Sequence, residues 1–365
     1  MKIAFYAPFK PLDHPRPSGD LTTALGLTRH LASRGHEIEV ASRFRARHLA
    51  SRPWAWPRAA FEAWRAGNLK ADAWLTHHAY YKSPDVIGPW ASRRMGVPYA
   101  IFQGIYSTKR RKSLSTRLGF ELNRASLLAA DVVFSNRLMD MENLRRLLPE
   151  DRLCYVAPGI DPAAFRHDPR ARSRLRERWG VGDRPVILCV AMFRDDVKTQ
   201  GLRYLITRLG TLDRDFELVL CGGGETLDEL VALAGQHLPG RHRFLGQVAR
   251  ERLFEVYSAA DVFVFPGIRE SLGMVYLEAQ ASGLPVVAFD NGGIPEVVRR
   301  GETALLAPPF DDGAFLGAVS ALLDDPSRRE AMGAAGAAHV RASHDAAVNF
   351  GKVEQRLLLL AGARR

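Results

Sequence analysis

The stretch RESLGMVYLE, residues 269–278, sets two carboxylates, Glu270 and Glu278, eight positions apart around Gly273. Upstream, Arg194 and Lys198 follow the apolar run VILCVAMF. Carboxylates accept hydrogen bonds from paired hydroxyls, while guanidinium and ammonium groups neutralise phosphate oxygens. A helix opening at Leu272–Gly273 supplies a third component. Its first N–H groups have no partner inside the helix and carry the positive end of its dipole. Gly273 has no side chain to hold an anion away from them. Helical side chains lean toward the amino terminus, which brings Glu278 beside whatever the helix start binds. Glu270, ahead of the helix, meets the group attached beyond it. Taken alone, Glu278 reads equally as a solvated helix residue and Glu270 as a helix cap. Beside two cations they read as the wall of a site for an anionic, sugar- or nucleotide-like ligand.

Such a site needs a frame that delivers all four groups to one place. Short apolar runs alternate with helical patterns along the whole chain. KIAFYAPF, HEIEVAS, DAWLTHH, PYAIFQG, DVVFSN and RLCYVAPG form a first series of strands, with DLTTALGLTRHLASRG as a helix closed by Gly35. RPVILCVAMF, DFELVLCGGG, HRFLGQV, DVFVFPG and LPVVAFDNGG form a second. This alternation predicts an α/β protein with two parallel sheets, each covered by helices on both faces. The series break in PGIDPAAFRHDPRARSR, which places one domain at 1–168 and a second at 169–345, with 346–365 as a final helix crossing back to the first. Ligands of open parallel sheets collect beyond the carboxyl ends of the strands. In the second series those ends carry Arg194 and Lys198, then Gly222–Gly224, then Glu270, then Asp290 with Gly292 and Gly293.

These residues carry a resemblance. PGIRESLGMVYLEAQASGLPVVAFDNGGIPEVV resembles the carboxy-terminal signature of family 4 glycosyltransferases, retaining enzymes of the GT-B fold, in which two Rossmann-like domains face a cleft. Their Glu-x7-Glu motif matches Glu270 and Glu278, and the likeness extends through FLGQV, ADVFVFP, GETALLAPP and VAPGIDPAAF. The resemblance implies that Arg194 and Lys198 neutralise a diphosphate, with the backbone N–H groups of Leu272, Gly273 and Met274 beside them. It implies that Glu278 holds a ribose, backbone at Val248 meets the base, and Glu270 binds hydroxyls of the donor sugar. Gly19, in RPSGD, matches the glycine loop that closes over the phosphates from the other domain. Where the family usually has a histidine, after the strand PYAIF, this chain has Gln103, which does not titrate. His77 and His78, after DAWLT, are candidates for lining an acceptor pocket; the alternative is a structural histidine pair.

The activity so implied is a hexosyl-type transfer, with retention, from a nucleoside-diphosphate sugar to a hydroxyl acceptor. A cell-envelope glycolipid, polysaccharide or lipid-linked glycan is the expected acceptor. The nucleotide sugar is a substrate, and no cofactor or metal is expected. Asp213-Arg214-Asp215 mimics a metal-binding Asp-x-Asp motif but precedes its strand, at the wrong end of a parallel sheet. A dinucleotide cofactor is disfavoured because CGGGETLDEL lacks the Gly-x-Gly-x-x-Gly spacing. Two other classes stay open: a nucleotide-sugar epimerase or hydrolase of the same fold, and a nucleic-acid-binding protein. The first needs an acid–base set, against which Gln103 argues. The second rests on basic charge alone, and the two glutamates would repel a phosphate backbone.

That charge is unevenly placed. The chain carries a net +11, and residues 1–170 hold 27 Lys and Arg against 15 Asp and Glu. Lys109, Arg110, Arg111, Lys112 and Arg117 cluster in one stretch, and Trp54, Trp56 and Trp64 interleave with arginines in another. Aromatic and basic residues together suit an anionic bilayer surface, so peripheral membrane contact is expected, with tryptophans packed inward as the alternative. No apolar run reaches the ~18 residues that a membrane helix needs, and MKIAFYAPFK is too soon polar for a secretory signal. Cys154, Cys189 and Cys221 are odd in number, two of them in strand-like runs, which favours core packing over disulfides or zinc. The expected location is the cytoplasm, in contact with the inner face of its membrane.

Overall fold

Among the described residues, two six-stranded parallel sheets organise the chain. The computed structural model describes residues 1–15 and 18–364. Arg16 and Pro17, within the RPSGD stretch, and Arg365, at the end of the expected last helix, lie outside the described residues. The chain divides into two units, Met1–Ala157 with Ala346–Arg365, and Pro158–Asp345.

The first sheet comprises β1 (Lys2–Tyr6), β2 (Glu37–Ser42), β3 (Ala73–Ala79), β4 (Tyr99–Gly104), β5 (Val132–Ser135) and β6 (Leu153–Tyr155), in the order β2-β1-β3-β4-β5-β6. Successive strand residues face opposite sides, and both sides are buried here. Ile3 and Phe5 pack on one face with Leu75, Phe102 and Phe134, while Ala4 and Tyr6 join Trp74 and Tyr99 on the other. The chain's last helix, Ala346–Gly362, covers the Ile3–Phe5 face with Phe350, Val353 and Leu357. It is tied at Glu354, which meets Arg34 at 3.3 Å and His36 at 3.0 Å.

The second sheet comprises β7 (Val186–Val190), β8 (Glu217–Cys221), β9 (His242–Phe244), β10 (Val262–Val264), β11 (Val286–Phe289) and β12 (Ala304–Ala307), in the order β12-β11-β10-β7-β8-β9. Read from β9, this is the doubly wound order in which the chain reverses direction across the sheet between β7 and β10. β12 was not among the strands expected; ALLA is a four-residue apolar run with no alternation to mark it.

The expected domain boundary near residue 168 is displaced to Ala157–Pro158. The polar stretch that suggested a linker is anchored in the second unit. Phe165 is buried there against Tyr257, and its carbonyl accepts from Ser282 Oγ at 2.7 Å. The Pro158 carbonyl lies 2.7 Å from His344 Nδ1.

Candidate active site

A doubly wound sheet leaves a crevice where its strand order reverses, since the loops leaving the two flanking strands turn to opposite faces. In the second sheet those strands are β7 and β10. The loop after β7 carries Arg194 and leads into the helix Val197–Gly210, and the loop after β10 carries Glu270. Neighbouring segments fix the first of these loops. Thr199 Oγ1 donates to the Arg194 carbonyl at 2.5 Å and shares a hydrogen bond with Thr226, and Asp196 caps the helix by accepting from Lys198 N. Gly222 and Gly224 lie with φ of 148° and 154°, where side chains would run into the Ala191 and Phe193 carbonyls. These glycines therefore let the loop after β8 press against the Arg194 loop.

Lys198 and Glu270 meet, with Nζ 3.3 Å from Oε2. Lys198 also lies over the Phe265 ring, 5.9 Å from its centroid. Glu270 Oε1 accepts from Ser271 N at 3.1 Å, and its carbonyl accepts from Gly293 N at 3.0 Å. A side chain on Gly292 would overlap the Glu270 carbonyl, and one on Gly293 the Ser271 carbonyl. The double glycine after β11 is thus the seat of the Glu270 loop. Arg194 is exposed, and its Nη2 rests 2.9 Å from Met192 Sδ, so it stands on the same loop as Lys198 without joining Glu270.

The expected helix starts at Met274, not at Leu272–Gly273, and runs to Ala281. Gly273 is its N-cap at φ 67°, a left-handed conformation that L side chains rarely adopt, and a Cβ there would press on Val297. No side chain caps this end, and the first amides bonded to the Gly273 carbonyl are those of Tyr276 and Leu277. The Met274 and Val275 amides precede them, as the first turn of any helix requires.

Glu278 lies inside, 3% exposed. Its Oε2 accepts from the Tyr257 hydroxyl at 3.0 Å, and its Oε1 lies 3.0 Å from Arg250 Nη1. Burial pushes its carboxyl above the ordinary range, and the Arg250 charge pulls the other way. The solvated-helix reading of Glu278 is therefore excluded. Val248, two residues before Arg250, helps line a hollow of about 470 Å³ with Trp179, Phe244, Gln247 and Arg252. Arg250 and Tyr257 were not singled out from the sequence, although GQVARE sets Arg250 two positions past Val248.

In the first unit the strand order reverses between β1 and β3. His78, near the end of β3, contacts Asp20 through Nδ1 and Oδ1. Asp20 was also missed; it follows Gly19, the first residue of the helix Gly19–Ser33 that Ser18 caps. Burial raises Asp20, but the hydrogen bond and charge of His78 bring it below its ordinary value. Phe9 and Tyr80 flank His78, with ring centroids 5.0 and 5.1 Å away. His78 and Gln103, on adjacent strands, both adopt left-handed φ, 62° and 59°. Such strain persists only where the surroundings impose it. Gln103 is buried, and among the described residues its Oε1 has no hydrogen-bond partner. His77 does not line a surface: it is 1% exposed and stacked on Phe102, and burial pushes it down to about 4.

The Asp-x-Asp stretch is engaged structurally, with Asp215 3.0 Å from Arg184 and Arg214 2.9 Å from Asp324. Among the described residues, no three His, Cys, Asp or Glu gather as metal ligands, and no helix is long and apolar enough to cross a membrane. The three cysteines are free, and two are buried. Trp54 and Trp64 face outward at 75% and 54% exposure, whereas Trp56 packs on the core.

Residues 171–339 match the family described as glycosyl transferases group 1. A GDP-mannose-dependent alpha-(1-6)-phosphatidylinositol monomannoside mannosyltransferase of Mycolicibacterium smegmatis is 40% identical over 219 residues, 57% of this chain and 56% of that protein. A D-inositol 3-phosphate glycosyltransferase of Acidothermus cellulolyticus is 29% identical over 354 residues, 83% of this chain and 78% of that protein. The chain spans about half the length of the first curated relatives it matches. In fold it is similar to Anabaena Alr3699/HepE, solved in complex with UDP, with a TM-score of 0.77 at 19% identity over 99% of this chain and 100% of that one. The site at the β7–β10 reversal falls within residues 171–339, the segment that matches glycosyl transferases group 1, in a chain of two-sheet GT-B fold.

Proposed function

We propose that this chain transfers a sugar from a nucleoside-diphosphate sugar to a hydroxyl acceptor, with retention of configuration. The observation that carries the reading is the Lys198–Glu270 contact at the reversal point of the second sheet, seated on Gly292–Gly293 beside an uncapped helix start. Lys198 and Arg194 neutralise the diphosphate together with backbone N–H groups of Leu272, Gly273 and Met274. Glu270 takes hydroxyls of the sugar, Glu278 takes the ribose, and backbone at Val248 meets the base. As the glycosidic bond breaks, charge builds on the departing phosphate, and donors fixed in advance stabilise it more in the transition state than in the ground state. The reading calls for no metal and no cofactor.

The acceptor is assigned to the first unit, at His78, Asp20 and Gln103, where an unpartnered amide oxygen suits a hydroxyl donor. His77 is left out because it is enclosed. The mannosyltransferase similar to this chain acts on phosphatidylinositol monomannoside by its name. That supports a lipid-linked or glycolipid acceptor of the cell envelope, reached by peripheral contact of the basic surface with the inner face of the membrane from the cytoplasm. The His78–Asp20 couple also favours a second reading, a nucleotide-sugar epimerase or hydrolase; nucleotide-sugar turnover without any acceptor would select it.

The test is thermal unfolding against a panel of nucleoside diphosphates and nucleotide sugars. A ligand at about 100 times its Kd stabilises the fold by ~2.7 kcal/mol. A panel in which no nucleotide raises Tm overturns the donor reading.

A further inference from the structure

Glu278 presents a problem that the donor reading does not solve. A carboxylate so enclosed takes up a proton unless a charge partners it. The partner is Arg250, from the turn two residues past Val248, with Nη1 3.0 Å from Oε1. The guanidinium lies 5.2 Å from the Phe165 ring centroid, which gives it a seat, and Arg250 is 47% exposed on its other side. The groups around the carboxylate are few. The helix Leu253–Ala259 brings Tyr257, with Cys221 of β8 behind it. The turn Pro162–Phe165 brings the Phe165 ring, and the helix Pro326–Ser343 packs Gly336 against Gln280.

A plain structural ion pair explains why a charge is tolerated there but not where the pair stands. It joins the Val248–Arg250 turn to Glu278, the two elements that the donor reading gives to base and ribose. Tyr257 takes Oε2, so Oε1, the oxygen left for an incoming hydroxyl, is the one that Arg250 engages. We propose that Arg250 positions the nucleoside end of the donor: it keeps Glu278 a carboxylate while the site is empty and yields Oε1 to the ribose hydroxyls when the nucleotide arrives. The proposal rests on the donor reading and adds to it a residue and a pH dependence. Burial raises the Glu278 carboxyl and Arg250 lowers it, so removing Arg250 raises it further. Ribose recognition then fails at a higher pH.

The experiment titrates the full chain calorimetrically with UDP and GDP and with their 2′,3′-dideoxy forms, between pH 5 and 8. The ratio of ribo to dideoxy affinity cancels titration of the phosphates and reports the ribose contact alone. In the unaltered chain that ratio falls on acidification. In Arg250→Ala the fall moves up by about one pH unit or more, a tenfold loss at a pH below it, and Arg250→Lys restores the original position. Arg250→Gln serves if the alanine chain does not fold. An unchanged midpoint in Arg250→Ala, or no recovery in Arg250→Lys, overturns the proposal and leaves the donor reading standing. A ratio of one at every pH in the unaltered chain overturns the ribose assignment of Glu278 and the proposal with it, whereas no binding of UDP or GDP at any pH overturns the donor reading itself.

Discussion

Lys198 Nζ lies 3.3 Å from Glu270 Oε2, so the cation proposed for the diphosphate and the carboxylate proposed for the sugar are each other's partner. Their side chains are 26% and 18% exposed, enclosed enough for the contact to matter and open enough for a ligand to enter. On the proposed donor reading, a diphosphate would draw Lys198 away and free Glu270 for sugar hydroxyls, coupling the two halves of donor binding. Lys198→Ala should lower kcat, with ~2.7–4 kcal/mol added to the barrier if the ammonium meets charge that develops only in the transition state. A cycle with Glu270→Gln should then be non-additive by about 0.5–3 kcal/mol. Additive effects in kcat/KM would show that the pair does not act as a unit.

Gly293→Ala tests the seat of the Glu270 loop without touching a charged group. The new Cβ overlaps the Ser271 carbonyl, and the Gly293 N–H that holds the Glu270 carbonyl must shift with it. Overpacking of this kind costs ~1–3 kcal/mol, which urea unfolding would register. Nucleotide-sugar turnover should fall further than stability does, because Glu270 moves. Full activity in a destabilised protein would separate the seat from the site.

The second sheet's candidate site could be proposed from sequence because its signals are local. Glu270, Gly273 and Glu278 sit within one short stretch, and strand-then-charge order places them on one rim. What escaped was tertiary. Arg250 and Asp20 become partners of Glu278 and His78 only through folding, across 28 and 58 positions of sequence. His77 and His78 look equivalent as neighbours, yet β3 turns one into the core and, through a left-handed φ, the other toward Asp20. The boundary was misplaced for a similar reason. Polar, proline-rich composition reads as linker, while the burial of Phe165 that binds the stretch to the second unit is invisible in one dimension.

His77 gives the first unit a pH dependence of definite sign. Burial holds it neutral down to about 4, against an ordinary value of 6.5, with the Asp20 charge opposing that shift and His78 adding to it. The unfolded chain therefore takes up a proton first. The contribution is intact above pH 6.5 and is lost progressively as pH falls toward 4, to an extent of ~3 kcal/mol at most. His77→Phe fills the same place beside Phe102 and carries no proton, so its urea midpoint should fall less over that interval. Parallel pH profiles for the two chains would remove His77 as the cause.

The outward tryptophans make the membrane question decidable. The first unit's residues include 29 Lys and Arg against 14 Asp and Glu. Trp54, Phe61 and Trp64 are exposed together on and just before the helix Trp56–Ala66, while Lys109 to Lys112, in and just after the turn Thr108–Arg111, and Leu114, the first residue of the helix Leu114–Ala129, are exposed too. Indole rings settle at headgroup depth, and each basic residue near an anionic surface contributes ~1 kcal/mol. The protein should float with vesicles containing phosphatidylglycerol and not with pure phosphatidylcholine. Serine at Lys109, Arg110, Arg111 and Lys112 should weaken that partition by about 4 kcal/mol, and high salt should do likewise. Trp54→Ser with Trp64→Ser should weaken it without changing its salt dependence, since an apolar contact is not screened. Equal recovery with neutral and anionic vesicles would leave the basic surface as a solvated face and remove the proposed membrane contact.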